Sequence, residues 1–248
     1  MIQKIKVGAV SYLNTKPLVY GFEQGMMKTE MDLLFDYPAN VAQKLIDKTI
    51  DIGLVPVAVL PALKEQYIIS DYCIGSIGEV ASVCLFSDVA LHEIEEILLD
   101  YQSKTSVALL KILLQQHWKI KPKLIAANEG FEKNISNKTA GLVIGDRAFI
   151  QRLTSKYHYD LGLAWQQMTG LPFVFAVWVS NKKLSDDFIS HFNNATANGI
   201  INIDKVVALN TYNQFDMLAY YTKFISYAFN AEKKQALQHF LQMLPSNA

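Results

Sequence analysis

The chain has 248 residues, long enough for one large domain or two of about 100–150 residues each. Hydrophobic residues make up 51% and charged ones 19%, the balance of a well-packed globule. Lysine plus arginine equals aspartate plus glutamate at 23 each, so overall charge offers no pull toward nucleic acid or an anionic membrane. Any attraction for an anionic ligand has to be local.

The short run "KIKVGAV" (4–10) predicts a first strand, and "MDLLFDY" (31–37) a second. "PANVAQKLIDK" (38–48) predicts a helix with Asn40 as its cap, Gln43 three residues on, and Val41, Ala42, Leu45 and Ile46 as the apolar stripe. "IDIGLVPV" (50–57) is a continuous apolar run, as expected of a buried parallel strand. Strand, helix and strand in that order make the first third α/β with a mainly parallel sheet. "ASVCLFS" (81–87) predicts a strand that crosses between lobes, with Ser82 at its start.

A second series opens at "EEILLD" (95–100): a helix from Thr105 to His117, a strand at 122–127, a strand at 139–146 and a helix from Arg147. "LPFVFAVWVS" (171–180) is the longest apolar β-type run. Everything from Ser185 onward is expected to be helical, with Ser185 capping and Asp186 and Asp187 in the first turn. Two α/β series without a flexible linker suggest two lobes, with a ligand in the cleft at the carboxyl ends of strands.

No window approaches the ~20 apolar residues of a membrane span, and the residues after Met1 lack the apolar core of a secretory leader. The expected compartment is the cytoplasm, where Cys73 and Cys84 would be buried free thiols. The five histidines have no metal-binding spacing, and no glycine-rich nucleotide fingerprint or nucleophile elbow is present, so no metal is expected.

Polar groups recur where strands end and helices begin. "VSYLNTKPL" (10–18) carries Ser11, Tyr12, Asn14, Thr15 and Lys16 just before Pro17, a residue suited to a first helical turn. "SKTS" (103–106) sets hydroxyls beside the unpaired N–H groups of a helix start, a ready carboxylate site. "IGDRA" (144–148) repeats the pattern with Gly145 and Asp146. Singly, each has a plain reading: Ser103 and Asp146 as helix caps, Asn14 as a turn stabiliser.

Together, "VSYLNTKPL", "DIGLVPVAVL", "ASVCLFS", "SKTSVALLKILL", "GLVIGDRA" and "YDLGLAWQQMTGLPFVFAVW" resemble the chorismate dehydratase family in order and spacing, from Lys4 to Trp178. The resemblance implies a two-lobed α/β fold of the type II periplasmic-binding-protein kind with a ligand cleft and a helical tail. Residues 1–86 plus 176–248 would form one lobe and 87–175 the other. It implies a carbon–oxygen lyase of the futalosine route to menaquinone that turns chorismate into 3-[(1-carboxyvinyl)oxy]benzoate without a cofactor. Asn14 and Ser82 match the family's important polar positions as catalytic residues, and Thr105 and Ser106 its carboxylate clamp. Ser11, Gly145 and Asp146 are further substrate-binding candidates. Lys104 stands where the family has arginine, keeping the charge but losing a bidentate fork. "VPVAVL" replaces a more usual "VPSIEY", so Val57 brings no hydroxyl to the wall. Rival readings are a non-catalytic anion-binding protein of the same fold and the sister dihydroxynaphthoate synthase. The latter should carry an "SPCPNDTF"-like first turn in place of "SYLN". Oligomeric state is left open.

Overall fold

The structure, a computed structural model, describes residues 4–245. Residues 1–3, weighed above as a leader, and 246–248 lie outside the described residues. The chain opens with β1 (Ile5–Val10), α1 (Lys16–Glu23), β2 (Met31–Asp36), α2 (Pro38–Ile46), β3 (Ile52–Pro56) and β4 (Tyr67–Ser76). It continues through β5 (Val83–Ser87), β6 (Glu96–Leu99), α3 (Lys104–Gln116), β7 (Lys123–Ala126), β8 (Thr139–Ile144), α4 (Asp146–Arg152), β9 (Tyr157–Asp160) and α5 (Leu161–Thr169). Then come β10 (Phe173–Ser180), α6 (Asp186–Ile201), α7 (Ile203–Leu209), α8 (Met217–Ala219), β11 (Ser226–Ala228) and α9 (Ala231–Met243).

Two sheets result. The first has the order β11-β4-β10-β3-β1-β2 and the second β7-β6-β8-β5-β9. In the first, β1 runs parallel to β2 and β3, as the strand–helix–strand order requires, while β10 is antiparallel to both β3 and β4. β10 lies inside this sheet and is covered on both faces, which explains its unbroken apolar run. In the second sheet β6 is parallel to β7 and β8, and β5 lies antiparallel between β8 and β9. The architecture is two-lobed α/β.

Two of the expected helix caps form, while Asp146 is the first residue of α4 behind Gly145 and caps nothing. Ser103 Oγ accepts from Ser106 N at 3.1 Å, and Ser185 Oγ from Phe188 N at 3.3 Å. Asn40 does not cap α2. Pro38 takes the first turn, two residues earlier, and the Asn40 amide instead donates to Asp36 Oδ1 at 2.8 Å. Trp165 and Trp178 are fully buried core residues; Trp165 Nε1 donates to Pro172 O at 3.0 Å. Cys73 and Cys84 are both buried and free.

The tail is not all helix. After α6 and α7, a π-helical turn at Tyr220–Phe224 leads into β11, which adds to the edge of β4 before α9 closes the chain. Three residues of strand are too few for any sequence period to show. Among the described residues no helix is long and apolar enough to cross a membrane.

The chain passes from the first sheet to the second once, between β4 and β5, and returns through α5. These crossings lie against each other because Gly162 has no side chain. A Cβ there would sit 2.6 Å from Ser76 Oγ and 2.7 Å from Gly78 O.

Candidate functional site

Between the sheets lies a cleft. Its walls are mainly apolar, with Leu54, Ile74 and Phe175 from the first sheet facing Val83 and Ile144 from the second. Polar groups enter from strand ends and helix starts. Tyr12, Asn14 and Thr15 follow β1, Ser103 and Ser106 open α3, and Gly145 ends β8. An apolar gap with a few convergent donors is the usual form of a small-molecule site.

Of the seven residues singled out from sequence, Asn14, Ser106 and Gly145 line this cleft. Ser82 lies just behind the wall, fully buried, between the lining residues Val80 and Val83. Its Oγ accepts from the Tyr220 hydroxyl at 2.7 Å. The Asn14 side chain borders the same phenol; burial pushes the Tyr220 pKa well up, and Ser82 and Asn14 oppose that rise. Tyr227 OH donates to Asn14 O at 3.0 Å, so the tail fixes Asn14 from behind as well. Asn14, Ser82 and Tyr220 therefore form one cluster drawn from β1's end, the crossing and the tail.

Thr105 does not face the cavity. It is buried, and its Oγ1 accepts from Ala58 N at 3.1 Å, tying α3 to the 3-10 helix (Val57–Ala62) that follows β3. Ser11 is exposed, its N–H bonded to Asp36 O at 3.2 Å. Asp146 links the lobes, its Oδ1 accepting from Leu13 N at 3.1 Å. Burial raises its pKa to about 6, opposed by the Leu13 amide and the charges of Arg147 and Lys16.

Two residues outside the seven complete the lip. Gly145 has φ +64°, and a Cβ there would lie 3.1 Å from the Tyr12 ring, so the bare backbone makes the seat for that ring. The Tyr12 hydroxyl donates to Gln102 Oε1 on the opposite lobe. Burial and the nearby Asp100 charge raise the Tyr12 pKa, keeping it a neutral donor. Gln102 Oε1 also accepts from Arg147 Nη2 at 3.0 Å. The same guanidinium grips Asp100 and Glu132 at 2.6 Å each. Arg147 is thus committed to two carboxylates, and neutral groups are left to meet an anion in the cleft. Tyr12 stood within the quoted first turn. Tyr220 carried no local signal, because only the return of the tail brings it to the cleft. No cluster of three metal-ligating side chains occurs among the described residues.

The sequence matches the family model described as "Menaquinone biosynthesis" over residues 5–246. It is 30% identical to a chorismate dehydratase of Thermus thermophilus over 198 residues, covering 71% of this chain and 70% of that one. Among solved structures it is similar to a protein of Archaeoglobus fulgidus, with TM-score 0.75 and 14% identity over 97% of this chain and 96% of that one. A Candida albicans protein described as having the generic periplasmic-binding-protein fold gives TM-score 0.62 and 12% identity over 96% and 90%. The periplasmic aliphatic sulphonate-binding protein of Escherichia coli gives TM-score 0.58 and 15% identity over 98% and 87%. On a two-lobed periplasmic-binding-protein-like fold, the chain belongs to the menaquinone-biosynthesis family.

Proposed function

We propose that this protein is a chorismate dehydratase, a carbon–oxygen lyase that converts chorismate to 3-[(1-carboxyvinyl)oxy]benzoate and water in the cytoplasmic futalosine route to menaquinone. The observation that carries the reading is the gathering of neutral polar side chains at one apolar cleft: Asn14 and Ser106 on its wall, with Ser82 and Tyr220 behind them. The similarity to the Thermus thermophilus chorismate dehydratase supports it.

The reaction asks for orientation and charge stabilisation more than for a strong base. The C3 proton of chorismate is vinylogously conjugated to the ring carboxylate, so its removal gives an extended enolate. The C3–H electron pair becomes the C3–C4 double bond as hydroxide leaves C4, and the ring becomes aromatic. The proton and the hydroxide account for the water released. The family resemblance assigns proton removal to the substrate's own enolpyruvyl carboxylate, which suits a cleft with no histidine among the described residues of its walls.

Ser106 and the first-turn amides of α3 would hold one carboxylate, since a helix start favours negative charge. Asn14 and Ser82 would stabilise charge at the departing hydroxyl, an effect worth ~3–4 kcal/mol per donor in well-ordered sites. Tyr220 donates to Ser82 Oγ, and the serine hydroxyl in turn donates to Val80 O at a long 3.5 Å, so turning its proton toward substrate would exchange one weak bond. Gly145 would shape the lip, and Thr105 and Asp146 would hold the lobes together.

The test is incubation of purified protein with chorismate and no added cofactor, with products separated and read by ultraviolet absorbance. The substituted benzoate is expected; chorismate decaying at its uncatalysed rate would remove the reading. The binding-protein alternative predicts retention of chorismate without turnover, and the sister-enzyme alternative predicts turnover of a cyclic dehypoxanthine futalosine instead.

A further inference from the structure

Ala81 has a left-handed φ of +63°, although it carries a Cβ and is fully buried. Ser82 N donates to Val80 O at 2.8 Å across it. An i to i+2 hydrogen bond with positive φ at the middle residue is the rare, strained hand of the γ-turn. Such backbone persists only when its surroundings over-determine it, and it gathers at working sites.

The surroundings here are specific. The Asp160 carboxylate accepts from Val80 N at 3.1 Å and from Ala81 N at 2.8 Å. Arg152 Nε donates to Ala81 O at 2.9 Å, so both polar groups of the strained residue are held by side chains. Beyond the turn, Gly145 N donates to Ser82 O at 2.8 Å, and Tyr220 donates to Ser82 Oγ. Asp160 sits at the start of the return crossing, and Ala81 in the outward one. The pin therefore joins both passages between lobes at the residue before Ser82.

We infer that Asp160 is a positioning residue for the cleft: its carboxylate holds Ala81 in the strained turn and thereby fixes Ser82 Oγ against the Tyr220 phenol. The inference rests on the dehydratase reading for its catalytic consequence, but its structural content does not. Asp160 also caps α5 by accepting from Leu163 N at 3.1 Å. A cap alone would need one oxygen on a short side chain, and serine caps as well as aspartate. Serine is too short to serve Leu163, Val80 and Ala81 together. Asp160→Ser thus keeps the cap and drops the grip.

Three proteins are to be compared: wild type, Asp160→Ser, and Asp160→Ser with Ala81→Gly. Glycine holds positive φ without a Cβ penalty, so the double variant no longer needs the carboxylate to keep the turn. With chorismate, Asp160→Ser is expected to lose about 10–100-fold in kcat with KM changed less than about 3-fold, the pattern of a misplaced group acting in the transition state. The double variant is expected to recover most of that loss. Wild-type kcat in Asp160→Ser, or a double variant no better than the single one, overturns the inference. Crystal structures supply a readout independent of turnover. Ala81 is expected to relax from positive φ in Asp160→Ser and the Tyr220–Ser82 bond to lengthen; an unchanged turn and bond overturn the inference even if wild type leaves chorismate untouched. Should Asp160→Ser fail to fold, a folded double variant supports the inference. A double variant that also fails contradicts it, because the carboxylate would then be holding the core and not the turn.

Discussion

Ser82 and Tyr220, 138 residues apart, meet through a 2.7 Å hydrogen bond just behind the cleft wall. Both are fully buried, so the bond is formed out of water and leaving either partner alone is costly. Tyr220→Phe keeps the ring packed edge-on against Phe149 while removing the hydroxyl. Turnover is expected to fall about 10–100-fold, with stability lower by about 1–2 kcal/mol in urea titrations. Because the two hydroxyls act in series, Tyr220→Phe combined with Ser82→Ala should be little worse than the poorer single variant. Multiplicative losses in kcat would show that they act apart.

Asn14 is placed differently, on the wall itself, with its backbone carbonyl held by Tyr227. Asn14→Ala removes only the side-chain amide, so the thermal midpoint should stay near that of wild type. Turnover should fall by at least ~10², the range for loss of one charge-stabilising donor. Near-normal turnover in steady-state assays would take Asn14 out of the chemistry.

Asp146 gives the protein a pH signature. Burial raises its pKa to about 6, above the ~3.9 of an unfolded chain. The folded state thus holds the proton more tightly than the unfolded one. Its contribution is fully present below about pH 4 and is lost as pH rises through about 6. Asp146→Asn keeps an oxygen for Leu13 N but cannot titrate. The thermal midpoint of wild type minus that of Asp146→Asn should therefore rise as pH is lowered from 7 to 4. A difference that is flat, or falls on acidification, would contradict the placement of this carboxylate.

Arg147 holds Asp100, whose side chain is 0% exposed, at 2.6 Å. Burial raises the Asp100 pKa in spite of the guanidinium, so the carboxylate depends on its partner. Arg147→Ala leaves it buried and unpaired, a loss expected at about 3–5 kcal/mol in denaturant titration at neutral pH. The loss should shrink on acidification, since a protonated Asp100 needs no cation. A loss under about 1 kcal/mol at pH 7 would mean that the pair is not buried as described.

The most plainly legible strands in the sequence are ones covered on both faces. β3, β8 and β10 carry unbroken apolar runs because neighbouring strands and packed layers shield them. β4 escaped because Ser70 and Asp71 interrupt its pattern, and what makes them tolerable is distant: Asn193 Oδ1 accepts from Ser70 Oγ at 2.8 Å and from Asp71 N at 3.0 Å. The cleft residues nearest the quoted segments, Asn14, Ser106 and Gly145, were legible because strand ends and helix starts have local signatures. Tyr220 was not, since nothing in "AYYTKF" encodes contact with a serine 138 positions away. Asp160 was visible only as part of a motif; its grip on Val80 and Ala81 exists only once the two crossings are side by side.

The central claim is that this cleft of neutral donors aromatises chorismate, and proton nuclear magnetic resonance of chorismate with purified protein tests it most directly. Loss of the ring C3 proton signal together with the rise of new aromatic resonances, at a rate proportional to protein concentration and without added metal or nucleotide, is the predicted result. Binding of chorismate in a calorimeter with its ring signals unchanged beyond uncatalysed decay would contradict it.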